Sequence, residues 1–344
     1  DVTATSLDIS GNIDVDGTTN LDVVDIDGAV DMASTLAVGG ALKVTGQNIA
    51  HSANSLLVGQ EGSGVAQLRA YGPDGTTNGQ FQFAVSASDG SPSTVALLIA
   101  ADGSLSTPTL GTSNVRFGVN AGNSIVSNYN VVVGDEAGTA LTTGDENTFI
   151  GYTAGDATTT ASGNTALGFS ALTTNVLGSR SVAIGRAALQ VQNPASAVNM
   201  YNVAVGHGAG EAVTTGINNT LIGGLAGDAI TTGSYNSAVG QSALGANTTG
   251  QVNTAVGANA LLSNTTASQN TAVGTNSQYS TTTGADNTSV GHNTLDANTT
   301  GANNTAIGQE ALGSNTTASN NTAVGHDALT ANTTGSENVA VGRN

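Results

Sequence analysis

The sequence predicts an elongated all-β protein made of stacked parallel coils. Three observations predict it. A phrase closed by glycine recurs with a seventeen-residue period, as at Gly134, Gly151 and Gly168, over the last two thirds of the 344-residue chain. So short a unit cannot hold a helical pair, and it is poor in helix formers. Charged residues are 9% of the chain, low for a globular protein, yet hydrophobic residues are 38% and regularly spaced, which argues against disorder.

Residues 1–50 carry a six-residue period. Apolar pairs stand at Leu7/Ile9, Ile13/Val15, Val24/Ile26, Val30/Met32, Leu36/Val38 and Leu42/Val44, with Asp or Gly between. Two inward residues per rung and an acidic outer face suit a β-prism or triple β-helix stalk. Asp14, Asp16, Asp25 and Asp27 invite a calcium reading. Strand alternation supplies no loop of converging oxygens, so they read instead as a solvated face.

Residues 51–113 break that period. Phe81, Phe83 and Val85 alternate with polar or small residues, as do Val95, Leu97 and Ile99, with turn signals at Pro73-Asp74-Gly75 and Asp89-Gly90. A small antiparallel β domain is predicted here.

Residues 114–344 predict a parallel β-roll or β-solenoid of about 14 coils. The closing glycines run from Gly134 to Gly342, and only the interval from Gly185 to Gly206, longer by four, departs from the period. A regular copy reads Asn-Thr-Ala-Val-Gly-x-x-Ala-Leu-x-x-Asn-Thr-Thr-Gly-x-x. The fourth position is always aliphatic and reads as the inward side chain of a strand. The glycine after it allows a tight turn. Ala at the eighth position implies close passage of another group. Positions nine and twelve trade off: Leu172 goes with Asn175, while Gly138 goes with Leu141 and Gly227 with Ile230. One apolar group per copy is kept, which implies one pocket filled from two directions; Gly155 with Thr158 breaks that rule. Two strands of four to five residues and two turns account for each copy, and the Asn column at position one should stack into a ladder. So thin a core predicts closure into an oligomer.

The Asn-Thr-Ala-Val-Gly phrase, with its Ala-Leu and Asn-Thr-Thr-Gly partners, resembles repeats of bacteriophage tail fibres. Ser181-Val182-Ala183-Ile184-Gly185 is also similar to head repeats of trimeric autotransporter adhesins, which form trimeric left-handed parallel β-rolls. The resemblance covers residues 114–344. It implies a homotrimeric virion fibre, partnered by other tail proteins and by a host cell-surface glycan or protein. The alternative it implies is the trimeric head of a bacterial surface adhesin, placed on the cell surface.

Other functions find less support. With no Cys there is no disulfide or thiolate metal site. Six Lys plus Arg against 24 Asp plus Glu, a net charge of −18, exclude a nucleic-acid surface. No apolar run is long enough to span a bilayer as a helix. The start at Asp1, with no Met and no signal peptide, reads as a processed or partial product. Four His and scattered acids such as Asp135, Glu136, Asp145, Glu146 and Asp156 assemble no catalytic constellation, so a polysaccharide-degrading tailspike is the lesser reading and no enzyme is predicted. No cofactor or metal is expected; His292 and His326, sharing position six, read as exposed turn histidines.

Position six carries the candidate binding residues. On consecutive coils it reads Asp135, Tyr152, Phe169, Arg186, His207, a column of large side chains suited to a sugar or to a seam between subunits. The four-residue insertion within 190–201 places Met200 and Tyr201 as an apolar contact on a surface loop. Adjacent Thr residues point to opposite faces, so the Asn-Thr-Thr runs do not make an ice-binding plane.

Overall fold

The computed structural model describes residues 113–344 and, ahead of them, the backbone of five strands: β1 (Leu56–Gln60), β2 (Ala66–Ala70), β3 (Phe81–Val85), β4 (Thr94–Ile99) and β5 (Leu105–Ser106). The chain separates into two compact units, Asp1–Ala50 with Leu57–Leu68, and His51–Leu56 with Arg69–Asn344. Strands β1 and β2 pair with each other, and β3, β4 and β5 form an antiparallel sheet with a bulge between Phe83 and Ala84. In that sheet Phe81 lies opposite Ile99 and Phe83 opposite Leu97. The stalk predicted for residues 1–50 lies outside the described residues.

From Val115 onward the chain is a parallel β-solenoid. Three-residue strands, from Val115–Phe117 to Val339–Val341, line up in chain order in one 14-stranded sheet. Fourteen strands bound thirteen full turns, which at ~4.8 Å per step make a sheet roughly 62 Å long. Register is strict: Ala238 pairs with Ala255 and Ala255 with Ala272, so each repeat position forms a vertical column.

Each coil carries one strand, not the two its length suggested. After the strand, positions seven, nine and seventeen adopt left-handed backbone, as at Glu136 (φ 57°), Leu172 (φ 56°) and Glu146 (φ 59°). A chain reversing that often cannot hold a second extended run. Vertical hydrogen bonding continues regardless, for example Thr153 N to the Asp135 carbonyl (3.1 Å) and Gly155 N to the Ala171 carbonyl (3.0 Å). The exception is the short parallel pair Gly178–Ser179 with Val198–Asn199, formed by the insertion.

The strand faces the opposite way to the expectation from sequence. Its middle residue, position three, is fully buried from Val132 to Ala323: Val132, Phe149, Ala166, Ala183 and their successors are 0% exposed. The aliphatic at position four lies outside, at 43% exposure for Leu167, 39% for Ile222 and 39% for Val256. Alternation along a strand permits only one of the two to point inward. The interior is so narrow that position three is usually Ala, set among the buried Ala of position eight and Leu of position nine.

Position three also explains the exception to the trade-off. A Cβ on Gly155 would lie 2.7 Å from the Phe149 ring, and one on Gly138 would lie 3.0 Å from it. The Phe149 ring therefore fills the pocket that Leu or Ile fills elsewhere, and Thr158 is free to be polar. Position five shows why glycine recurs. Gly223 has φ 136°, and a Cβ there would meet the Gly240 carbonyl oxygen at 2.4 Å.

Two amide ladders hold the coils in register. At position one, Asn253 Nδ2 and backbone N both donate to Asn236 Oδ1, and Nδ2 also donates to the Ala267 carbonyl. At position twelve only the side chains link the coils: Asn264 and Asn315 Nδ2 donate to Asn247 and Asn298 Oδ1, Asn298 Nδ2 donates to Thr281 Oγ1, and each also donates to the carbonyl three residues on. Two places differ. Ser181 interrupts the first ladder, and Gln192 spans the gap. Around 277–294 the core turns polar: Ser277, Gln278, Thr281, Ser289 and Thr294 are all fully buried, and they separate the apolar cluster ending at Ala272 from the one beginning at Leu295. Gln278 Nε2 donates to the Thr271 carbonyl (2.9 Å) and to Ser289 Oγ (2.9 Å), while its buried Oε1 has no partner.

Candidate functional site

Position six follows the left-handed glycine of position five, which turns its side chain out to solvent. The predicted column is assembled there. Tyr152 and Phe169, each about half exposed (49% and 50%), stack with ring centroids 5.3 Å apart and planes 23° from parallel. On the next coil the Arg186 guanidinium carbon sits 5.6 Å from the Phe169 centroid. Arg186 Nη1 lies 3.2 Å from His207 Nε2. A guanidinium can only donate, so that imidazole nitrogen is the acceptor. Offset ring stacking and a cation near an aromatic face each stabilise by about 0.5–1.5 kcal/mol.

The insertion divides its two predicted residues. Tyr201 is exposed, but Met200 is fully buried and is no surface contact. Met200 N donates to the Ser179 carbonyl (2.9 Å), and a Cβ on Gly178 would meet Met200 Cγ at 2.9 Å. The extra strand Val198–Asn199 brings Met200 in against that glycine, which leaves room for the thioether chain. Tyr201 has a partner that the sequence did not suggest. Arg180 Nη1 donates to Tyr201 Oη at 2.9 Å, and its guanidinium carbon lies 5.9 Å from the Tyr201 centroid. Gly163, one coil before Arg180, has only the Arg180 stem near its missing Cβ, at 3.5 Å.

Arg180 stands just before strand Val182–Ile184 and Arg186 just after it. A signal for both lies in the charge distribution. Between Asp156 and Glu211 there is no Asp or Glu, and Arg180 and Arg186 are the only Lys or Arg. This acid-free stretch on a −18 chain includes Phe169, Arg186 and His207 of the column, with Tyr152 just before it.

Elsewhere the polar groups are structural. Glu136 accepts from Asn120 (2.7 Å) and Thr139 (3.1 Å), and Asp145 accepts from the Asn128 backbone (2.9 Å). Burial pushes the Asp156, Asp228 and Asp296 carboxyls above the ordinary range, with smaller upward contributions from Glu136, Glu211 and Glu310 respectively. His326 pairs with Asp327 at 2.7 Å. Among the described residues no group of three His, Asp or Glu is placed to hold a metal ion, and no helix is long and apolar enough to cross a membrane. A shallow groove of about 330 Å³ lies between Leu225, Asp228, Gly245 and Leu262. The chain matches no protein-family model, no curated protein and no solved structure.

Proposed function

We propose that this chain is a non-enzymatic segment of a homotrimeric fibre, of the bacteriophage tail-fibre kind, that attaches a virion to a host-surface glycan or protein. The observation that carries this reading is the aliphatic column at position four. Leu167, Ile222, Val239, Val256, Val290 and Ile307 stand at 38–43% exposure in one column along the sheet, with the half-buried Ile184, Val205 and Val273 between them. A strip so long and regular on a single chain calls for cover. Further copies of the same chain fit best, because their columns share its ~4.8 Å spacing and its length. Threefold closure comes from the resemblance of the repeats.

Three chains would present the Tyr152–Phe169–Arg186–His207 column three times, and several fibres on one particle would multiply weak contacts into avid attachment. Multi-angle light scattering tests the assembly. Three times the 33.5 kDa chain mass is expected, and a 33.5 kDa monomer under native conditions would refute it. Adhesion of the purified fibre to host cells tests attachment, with Tyr152→Ala/Phe169→Ala expected to abolish it.

A further inference from the structure

We infer that the column is selective for acidic saccharides, with Arg186 as the principal anion-binding group and Arg180, beside Tyr201, as a second anchor across the strand. This rests on the attachment reading and names the ligand class of that same surface.

The argument begins with charge. Among the described residues neither guanidinium is paired with a carboxylate, and their contacts are a His207 ring nitrogen, the Tyr201 hydroxyl and two aromatic rings. Each guanidinium has five N–H donors and uses one of them on these partners. The surrounding stretch, from Ala157 to Gly210, holds no acid at all. Glu211 stands on the adjoining coil, with Oε2 beside Gly208, yet it forms no ion pair with either guanidinium. Two arginines without a carboxylate partner on an acidic protein are arranged to receive an anion.

The neighbours indicate what the anion is attached to. Tyr152 and Phe169 cover each other's faces and Arg186 lies over Phe169, so the half-exposed ring edges are what the pair offers as an apolar surface to the C–H groups of a pyranose ring. Phe169 also contacts Arg186, so a ring placed on the aromatics brings a carboxylate substituent toward the guanidinium. Arginine matches a carboxylate with two parallel N–H bonds, which a neutral sugar cannot accept. The surface therefore separates sugars by charge as well as by shape. The two arginines are the ends of a seven-residue segment, at most about 20 Å apart, a span for an oligosaccharide longer than one sugar.

The test compares α-1,4-linked oligogalacturonate with its fully methyl-esterified form, which keeps the rings and removes the charge. Binding to the purified wild-type chain is measured by calorimetry at low salt, alongside Arg186→Gln, Arg180→Gln and Arg186→Lys, with light scattering on each. The acid form is expected to bind at least tenfold more tightly than the ester. Arg186→Gln should erase that preference, Arg180→Gln should reduce it, and Arg186→Lys should keep part of it, with the oligomeric state unchanged. Equal binding of acid and ester overturns charge selection while leaving attachment through the rings intact. Binding of neither form overturns the inference. Dissociation of the assembly by Arg186→Gln also overturns it, by placing the column in a subunit seam.

Discussion

Gln192 Oε1 accepts a hydrogen bond from Asn202 Nδ2 at 2.9 Å, in the gap left where Ser181 interrupts the asparagine ladder. The same oxygen accepts from Ser181 Oγ at 3.2 Å, and Gln192 Nε2 donates to Asn175 Oδ1 at 3.2 Å. Gln192 belongs to the position-twelve column, and its extra methylene lets one amide serve both ladders. Two departures from the repeat thus compensate each other. Gln192→Ala should cost about 2–3 kcal/mol, because it strands buried polar groups on both sides. Ser181→Asn combined with Gln192→Asn should recover most of the loss, measured by thermal unfolding.

Adjacent glycines should behave in opposite ways. Gly223→Ala forces a methyl toward the Gly240 carbonyl at 2.4 Å in a left-handed backbone, whereas a Cβ on Gly224 meets nothing within 4 Å. Gly223→Ala should cost more than about 3 kcal/mol or prevent folding. Gly224→Ala should be neutral or stabilise by up to ~1 kcal/mol. Circular dichroism and melting temperature distinguish the two.

The outward aliphatic column separates folding from assembly. Val239→Lys/Val256→Lys alters side chains at 38% and 39% exposure within the chain. The double variant should keep its secondary structure and lose its oligomeric mass in light scattering. Unchanged mass would remove the column from any subunit interface.

The polar coil should be the weakest point of the solenoid. Stability in stacked repeats is approximately a sum of units and nearest-neighbour terms. The orphaned Gln278 Oε1 and the buried hydroxyls of Ser277 and Ser289 weaken the terms on either side. Hydrogen exchange should be fastest, within the interior coils, across residues 277–294. Gln278→Leu/Ser277→Ala/Ser289→Ala should raise the denaturant midpoint by the equivalent of about 1–3 kcal/mol. Leu is tolerated at that backbone, since Leu261 (φ 52°) and Leu295 (φ 53°) already adopt it.

Mild acid should strengthen the solenoid. Burial raises the Asp228 carboxyl in the fold above its ordinary 3.8, with Glu211 adding to the rise, so the folded state binds protons more tightly than the unfolded chain. Stability then increases as pH falls through the raised folded value, with the gain complete below the ordinary value of 3.8. Asp156 and Asp296 act in the same direction. Asp228→Asn should raise the melting temperature at pH 7 and shrink the acid gain in a melting series from pH 7 to 4.

Period, ladders and the shared pocket were legible in the sequence because each is a statement about spacing. The inward face was not. An unvarying aliphatic reads as core, but here the true core position varies among Ala, Ser, Val, Leu and Phe149. Assigning position four inward shifts the strand by one residue and reverses both faces. The left-handed turns were half visible, as Asn, Gly and Ser at positions seven and seventeen; Leu at position nine hid the third behind an apolar side chain. Tyr152, Phe169, Arg186 and His207 were found because column stacking follows from the period. Met200 was misplaced because a four-residue insertion reads as a loop, while here it adds a strand to a neighbouring coil.

Strict vertical register makes the solenoid a ruler whose graduations are single repeats. Excising Gly240 through Val256 would join Val239 directly to Gly257, the residue that closes the same phrase one step along. Every ladder would rejoin with like facing like, and the solenoid would shorten by ~4.8 Å. Unequal recombination between near-identical copies can therefore tune the reach of this molecule in small increments, with no new side-chain packing to be invented at the splice.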